Sequence, residues 1–407
     1  MSCLKFPSLL RVVLLALLSI STCQAEETFG RTKLDGIVQV YANTMNLRND
    51  SVLNPDNRIA NLPQVAGTTE ARFNLKAENE TVRLTLRPIV LAQHERNANS
   101  TSRMNEAYLS QWQLRVRTTE SSNIAAGREI LNWGAAQFRS PSSPIYFDNG
   151  RSNPLRELSG VDTLKFSWTP DMQHTLTLAR IVGSGHVTQD SWRNSWLLKL
   201  DQRSDDWAAG LVVCKTPAQR VFVGAHGQLT VNDAVLLYTE ASSSTRSNAL
   251  QSPADNSSPF TLLPQSQRET TILTGTAYTL QNGQTLNAEM MHYGHGFSSS
   301  AESAYFTRAT AAPSLAAMAL GTAPPLLGRD YLHLVWQSNL METGGYWRAM
   351  ATHSFTDNGN ELSGYAEYSV NGQVTIFSLA VLPLGNTRQE FSGLYKRSLT
   401  AGMKVAL

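Results

Sequence analysis

The stretch EARFNLKAENETVRLTLR, residues 70–87, decides the fold. Ala71, Phe73, Leu75 and Ala77 alternate with Glu70, Arg72, Asn74 and Lys76. After Glu78-Asn79-Glu80 the alternation resumes, with Val82, Leu84 and Leu86 set against Arg83, Thr85 and Arg87. A period of two marks a strand with two unlike faces, and three polar residues between two such runs make a tight turn. The stretch therefore reads as a hairpin with one apolar face and one charged face.

The same pattern recurs outward from it. Trp112, Leu114 and Val116 share a face, as do Leu164, Phe166 and Trp168, and Leu332, Leu334 and Trp336. At the C-terminus Leu399, Ala401, Met403, Val405 and Leu407 do the same. Strands are expected at 33–43, 68–77, 81–92, 105–118, 123–131, 161–169, 173–183, 192–201 and 206–215. They continue at 219–229, 233–242, 270–280, 284–293, 330–338, 345–355, 361–369, 373–382 and 390–407. Short connections fall near 78–80, 119–122, 170–172, 202–205, 230–232, 281–283, 339–344 and 370–372, and long ones at 44–67, 93–104, 132–160, 243–269 and 294–329. Asn282-Gly283 and Asn371-Gly372 supply turn chemistry on the short side.

Connections sorted by length around ten-residue strands predict an all-β fold, a closed antiparallel transmembrane β-barrel of about eighteen strands with short periplasmic turns and long extracellular loops. Sixteen strands is the alternative, because Leu197 and Val212 break the alternation within 192–229. A soluble sandwich, solenoid or propeller also alternates, but no fixed repeat period is present. Pro88 lies inside an expected strand and belongs at a bulge or near the outer rim. Residues 311–320 have the composition of a short helix within their loop. Trp168 and Trp207 fall near the short-turn ends and Tyr41, Tyr108, Tyr293 and Tyr331 near the loop ends, a two-girdle arrangement.

Residues 1–25 have the layout of a secretory signal peptide: Lys5 and Arg11, the apolar run Val12–Leu18, then Cys23-Gln24-Ala25. The barrel is assigned to 26–407. Removing Lys5 and Arg11 takes the formal net charge from +2 to zero. No polybasic tract remains, which argues against nucleic acid as a partner. Cys3 and Cys23 leave with the signal, and Cys214, flanked by apolar residues, is expected to be buried.

The chain resembles Gram-negative outer-membrane porins in architecture, over nearly its whole mature length. Gly127-Arg128-Glu129-Ile130-Leu131-Asn132-Trp133-Gly134 is similar to segments of larger barrels, whereas Leu407 departs from the aromatic residue on which such barrels commonly end. The resemblance implies a location in the outer membrane, contact with its lipid, passage of small hydrophilic solutes and a homotrimer. It also implies that the third outer loop, 132–160, folds inward to narrow the pore.

With the apolar face toward lipid, the opposite face of strands two to four carries Arg72, Lys76, Arg83, Arg87, Arg115 and Arg117. Adjacent strands lie roughly 4.8 Å apart, so these form one basic ladder. Either the ladder favours anions in a pore, or its members pair with acids such as Glu70, Glu106 and Glu129 and brace the wall. An inward loop would present Tyr146, Asp148, Arg151 and Glu157 at a constriction, with Asp148 and Glu157 across from the ladder. The alternative is an ordinary surface loop with Pro and Gly turns. His292 and His295 have weak metal-site spacing, and no metal or cofactor is expected.

No catalytic motif is present in the sequence, so the expectation is a channel rather than an enzyme. A conduit exporting an acidic polysaccharide, or a barrel serving a periplasmic complex, is the second reading. An outer-membrane hydrolase is the third.

Overall fold

The computed structural model describes residues 30–407, apart from 98–99, 187–191, 218–219, 246–248, 254, 256, 263–266 and 340–343. The expected signal peptide lies outside the described residues. The first half holds β1 (Arg31–Leu47), β2 (Val65–Glu78), β3 (Val82–Arg96), β4 (Thr101–Arg117) and β5 (Ser122–Glu129). It continues with β6 (Val161–Trp168), β7 (His174–Gly183), β8 (Trp196–Arg203), β9 (Trp207–Lys215), β10 (Val221–Asn232) and β11 (Val235–Thr245). A small ladder, β12 (Leu250–Gln251) with β13 (Thr261–Leu262), stands apart in a loop. Then come β14 (Arg268–Thr279), β15 (Thr285–Tyr293), β16 (Asp330–Gln337) and β17 (Gly345–Ser354). The chain ends with β18 (Asn360–Ser369), β19 (Val374–Leu384) and β20 (Tyr395–Ala406).

Apart from β12 and β13, every strand pairs antiparallel with the next, and β20 pairs back onto β1 with Met403 opposite Val40. The result is one closed sheet of eighteen strands with no free edge. The sixteen-strand alternative falls because β8, β9 and β10 are all present. Leu197 and Val212 break the alternation for a physical reason. They face inward and are covered by residues 130–160, in a cluster that includes Leu131 and Tyr146.

Several boundaries differ from expectation. β3 and β4 run further outward than 92 and 105, so their connection is only 97–100 rather than 93–104. The last strand begins at Tyr395, not 390, and β8 at Trp196, not 192. The expected loop helix is present as α2 (Pro313–Thr322), preceded by an unanticipated α1 (Ser299–Ala309). Among the described residues no helix is long and apolar enough to cross a membrane.

The turns follow their chemistry. Gly283 has φ +75°, which favours glycine, and its N–H donates to the Leu280 carbonyl at 2.8 Å. Asn371 Oδ1 accepts from the N–H groups of Gln373 and Val374. Pro88 sits at a β-bulge, where Arg87 pairs with Gln111 and Pro88 with Leu109. The extra residue, Ser110, donates its hydroxyl to the Arg87 carbonyl at 3.0 Å. Both ends of the sheet, Arg31 and Ala406, lie on the short-turn rim.

The outward face is apolar and uncovered. Leu34, Leu114, Leu164, Leu200, Leu334, Ile376 and Leu399 are all exposed. A continuous apolar face around a closed barrel is a lipid-facing surface. Trp168 and Trp207 stand exposed near the short-turn rim as expected. The four tyrosines expected on the loop-side girdle instead face inward. Tyr331 and Tyr293 are buried against Phe138 and its neighbours, Tyr41 packs on Phe377, and Tyr108 stacks on His186 at 3.8 Å. Register puts them on the lumen face: Tyr41 pairs with Thr68 and Gly402, and Tyr331 with Met291 and Ser354.

Candidate functional site: the barrel lumen and its inner loop

The lumen is divided by residues 130–160, which leave β5 and return to β6 inside the barrel. Two carboxylates from the far wall hold them. Glu240 on β11 accepts from the Ala136 N–H at 3.0 Å and from the hydroxyls of Ser140 and Ser142 at 2.6 and 2.7 Å. Glu289 on β15 accepts from the N–H groups of Gln137 and Phe138 at 2.6 and 2.8 Å, and from the Tyr238 hydroxyl at 2.6 Å. Both side chains are about 1% exposed. A buried carboxylate is costly unless its lone pairs are filled, and a hydrogen bond to a charged group contributes about 1.5–3 kcal/mol. The loop's backbone amides fill them.

Local sequence explains why the loop presents those amides. Gly134, at φ +80°, lies so close to Glu240 that a Cβ there would overlap the carboxylate. Asn149 donates its side-chain N–H to the Ala136 carbonyl at 2.8 Å and accepts from the Arg151 N–H, which folds the loop back on itself. Phe138 stacks on His333 of β16 with centroids 5.0 Å apart, and Arg348 of β17 donates to Gln137 Oε1 at 3.1 Å. Leu155 packs against Tyr365, Phe377 and Leu379 on β18 and β19. The loop thus touches the wall on several sides.

Register places all six ladder residues on the inner face. Lys76 pairs with Lys33 and Thr85, Arg83 with Arg115, and Arg87 with Gln111. The ladder then splits. Arg72 pairs with Glu70 and, at 2.9 Å, with Glu157. Arg87 lies 3.9 Å from Glu157, and Arg83 pairs with Glu78 at 2.6 Å. Among the described residues no acid lies within 4.0 Å of Lys76, Arg115 or Arg117. Arg115 directs a guanidinium N–H to Gln113 Oε1 at 3.3 Å. Glu129 joins Lys165, and Glu106 lies 3.5 Å from His186.

The four loop residues fall differently from expectation. Asp148 and Glu157 do not face the ladder across a gap: Glu157 is bonded to it, and Asp148 pairs with Arg156 within the loop. A flexible carboxylate within reach of arginines closes onto them. Tyr146 is buried between the loop and the wall, in the cluster with Leu197 and Val212, with its hydroxyl donating to the Ser159 carbonyl at 2.7 Å. Arg151 donates to the Ala136 carbonyl at 2.9 Å and makes no ion pair among the described residues. Glu240, Glu289, His333 and Arg348 were missed in the sequence. Their signal was there: charged or ionisable residues at inner positions of strands that also turn Tyr238, Met291, Tyr331 and Met350 inward.

His292 and His295 do not share a site. His292 Nδ1 lies 2.7 Å from Asp330 Oδ1 on the outward face, whereas His295 contacts Ser244 at 3.2 Å. Among the described residues no three His, Cys, Asp or Glu side chains converge to hold a metal ion. Cys214 is buried behind the loop. At the short-turn rim a cavity of about 210 Å³ is lined by Arg83, Arg115 and Arg117 together with Glu80 and Glu120. A second, of about 460 Å³, lies by Glu367, Thr375 and Lys404.

No family model and no curated protein matches the sequence. Solved structures do match. Pseudomonas aeruginosa OccK11 (OpdR) superposes with a TM-score of 0.55 at 11% identity, covering 92% of this chain and 96% of that one. OccK5 (OpdH) of the same organism gives 0.54 at 10%, covering 93% and 99%, and its OprD gives 0.54 at 10%, covering 93% and 96%. At such identity the likeness is one of fold: this chain is an eighteen-stranded barrel of the outer-membrane porin type, as the resemblance in its sequence implied.

Proposed function

We propose that the chain is an outer-membrane channel for passive passage of small hydrophilic solutes, with a preference for anions. Residues 1–25 export it and 26–407 form the pore, with residues 130–160 as the constriction. One observation carries the anion preference. Among the described residues Lys76, Arg115 and Arg117 line one wall with no acid within 4.0 Å, and Lys33 directly opposes Lys76 as Arg83 opposes Arg115. Like charges directly opposite on neighbouring strands are unfavourable unless anions reside nearby. On the loop side Arg151 and Arg348 add positive charge with no ion pair among the described residues. A solute anion therefore meets cations on both sides of the loop rather than a field running from acid to base.

Purified protein in planar bilayers tests this. Stepwise ion conductance is expected, with a reversal potential in a salt gradient that favours chloride over potassium. Lys76→Glu combined with Arg115→Glu moves that potential toward cations, most strongly at low salt, because screening weakens the effect as ionic strength rises. A chain that inserts and gives no conducting steps is not an open channel.

A further inference from the structure

The outward face carries a second, separate set of basic side chains. On β3 the outward positions run Val82, Leu84, Leu86, Pro88, Val90 and Ala92, then His94 and Arg96. On β4 they run Val116, Leu114 and Trp112, pass the bulge to Leu109 and Ala107, and end in Asn105 and Arg103. His94 directly opposes Arg103, with Arg96 one step further out, and all three are exposed. The apolar run of about eleven residues on β3 is enough to cross the roughly 25 Å lipid-facing band at the usual strand tilt. His94, Arg96 and Arg103 therefore stand where lipid headgroups begin, on the long-loop side.

Among the described residues no acid lies within 4.0 Å of any of the three. Two other outward basic side chains on this rim have acid partners: Arg128 pairs with Asp162 at 2.8 Å, and His292 lies 2.7 Å from Asp330. The cluster on β3 and β4 has no such partner. Arg397 on β20 faces outward opposite Asn46, three strand spacings from Arg96, or about 15 Å. Further round, Arg180, Trp196 and Lys215 form one outward row on β7, β8 and β9, with the Arg180 guanidinium over the Trp196 ring at 5.4 Å.

We infer that the outer rim of β3 and β4 binds the phosphorylated headgroup of a lipid in the outer leaflet. The apolar strands below take its acyl chains, and His94, Arg96 and Arg103 take its phosphate. Arginine suits phosphate because its planar fork can donate two parallel hydrogen bonds. Location selects a lipid over soluble phosphate, since the cations continue an apolar surface instead of lining the lumen. The inference does not depend on the solute preference, so its failure leaves the channel reading intact.

The test uses the full barrel in dodecyl-maltoside micelles and three probes: diphosphorylated lipid A, the same lipid stripped of phosphate, and inorganic phosphate. Native mass spectrometry and heat-induced unfolding are the readouts. The phosphorylated lipid is expected to form a stoichiometric adduct and raise the unfolding temperature, the stripped lipid to do neither at equal concentration. Arg96→Gln with Arg103→Gln weakens binding about thirtyfold, at about fivefold for each basic residue near an anionic surface. Arg96→Lys with Arg103→Lys retains most of it, which separates lost charge from a damaged rim. Equal binding of the two lipids by the parent chain overturns the inference, and so does full binding by the glutamine variant. An equal stabilisation by inorganic phosphate alone overturns the lipid as the source.

Discussion

The lumen wall from β8 to β16 and the wall from β1 to β4 are written in the same alternating pattern and end with opposite interiors. The inner positions of the first include Leu197, Val212, Tyr238, Leu273, Met291 and Tyr331, all buried. The inner positions of the second include Lys76, Arg83 and Arg117, all exposed. The strands differ little in geometry. What differs is that residues 130–160 cover the first wall, and reach the second only toward its outer part, through Glu157 on Arg72 and the Gly160 N–H on the Ser110 carbonyl. The inner face of a barrel strand thus records what docks on it. Where backbone amides arrive, the wall supplies carboxylates and apolar side chains, and where solution remains, it supplies charge.

Removing the carboxylates should break that contrast most completely. Glu240→Ala with Glu289→Ala deletes seven acceptor contacts and leaves buried N–H groups without partners. Leaving a buried donor unsatisfied costs about 1–3 kcal/mol each, enough to loosen a loop whose remaining ties to the wall are apolar packing, the Arg348–Gln137 hydrogen bond and the Glu157 ion pairs. The barrel ladder is untouched, so the chain still folds and inserts. Single-channel conductance rises and becomes noisier, and trypsin gains access at Arg139 and Arg151. Unchanged conductance together with unchanged protease resistance would show that the loop is held by its other contacts and not by these carboxylates.

Glu157→Gln sharpens the contrast in the opposite direction. This carboxylate neutralises the half-buried Arg72 and approaches Arg87. Its loss leaves Arg72 with Glu70 and frees Arg87, so the second wall becomes more positive. Chloride preference should increase modestly, the reverse of the Lys76→Glu effect, while loop stability falls by about 1 kcal/mol for a partly exposed ion pair. Reversal potentials measured side by side for the two variants give opposite signs if the ladder sets selectivity.

The two walls also differ in how legible they were. Period-two alternation located all eighteen strands, because one face of each meets lipid and must be apolar. The inner face of β2, β3 and β4 was legible for the same reason, since it is polar by contrast. The other wall was not. Apolar residues at Leu197 and Val212 read as broken strands, because nothing local says that a loop sixty residues upstream will cover them. Asp148 and Glu157 were expected across a gap, but which cations a loop carboxylate reaches depends on the loop's path, which spacing does not encode. The loop-side tyrosines were misassigned because their parity within each strand, and not their nearness to its end, decides between lipid and lumen.

The outer loops offer a third treatment of the carboxylate. Residues 294–329, with α1 and α2, pack with Leu53, Leu250 and Phe260 into an apolar cap. Beneath it Glu302 is buried near Asp357 and Glu390, with neither carboxylate oxygen of Glu302 hydrogen-bonded. Burial, reinforced by those two acids, pushes Glu302 up to about 9. Burial likewise raises Glu390 to about 7, against the hydrogen bonds it accepts from Tyr331, Leu327 and Gly328. A raised carboxyl holds its proton in the packed cap and loses it when the cap opens. Cap stability is therefore greatest below the ordinary carboxylate range and falls as pH rises through 7 toward 9. Tryptic cleavage at Arg308, corrected for the enzyme's own pH profile, should accelerate over that window, and Glu302→Gln should flatten the change.

The smallest effect expected is at His292. It makes the same kind of pairing, an acid with a donor at 2.7 Å, but on the outward rim with each partner about half exposed. Water already solvates both groups, so the pair contributes at most about 1 kcal/mol and is screened by salt. His292→Ala should leave the unfolding temperature and the conductance nearly unchanged, with any difference vanishing at high ionic strength. If this variant were as damaging as Glu289→Ala, burial would not be what gives the inner carboxylates their hold on the loop. The contrast between the two walls would then need another cause, in the apolar contacts the loop makes with the wall through Phe138 and Tyr146.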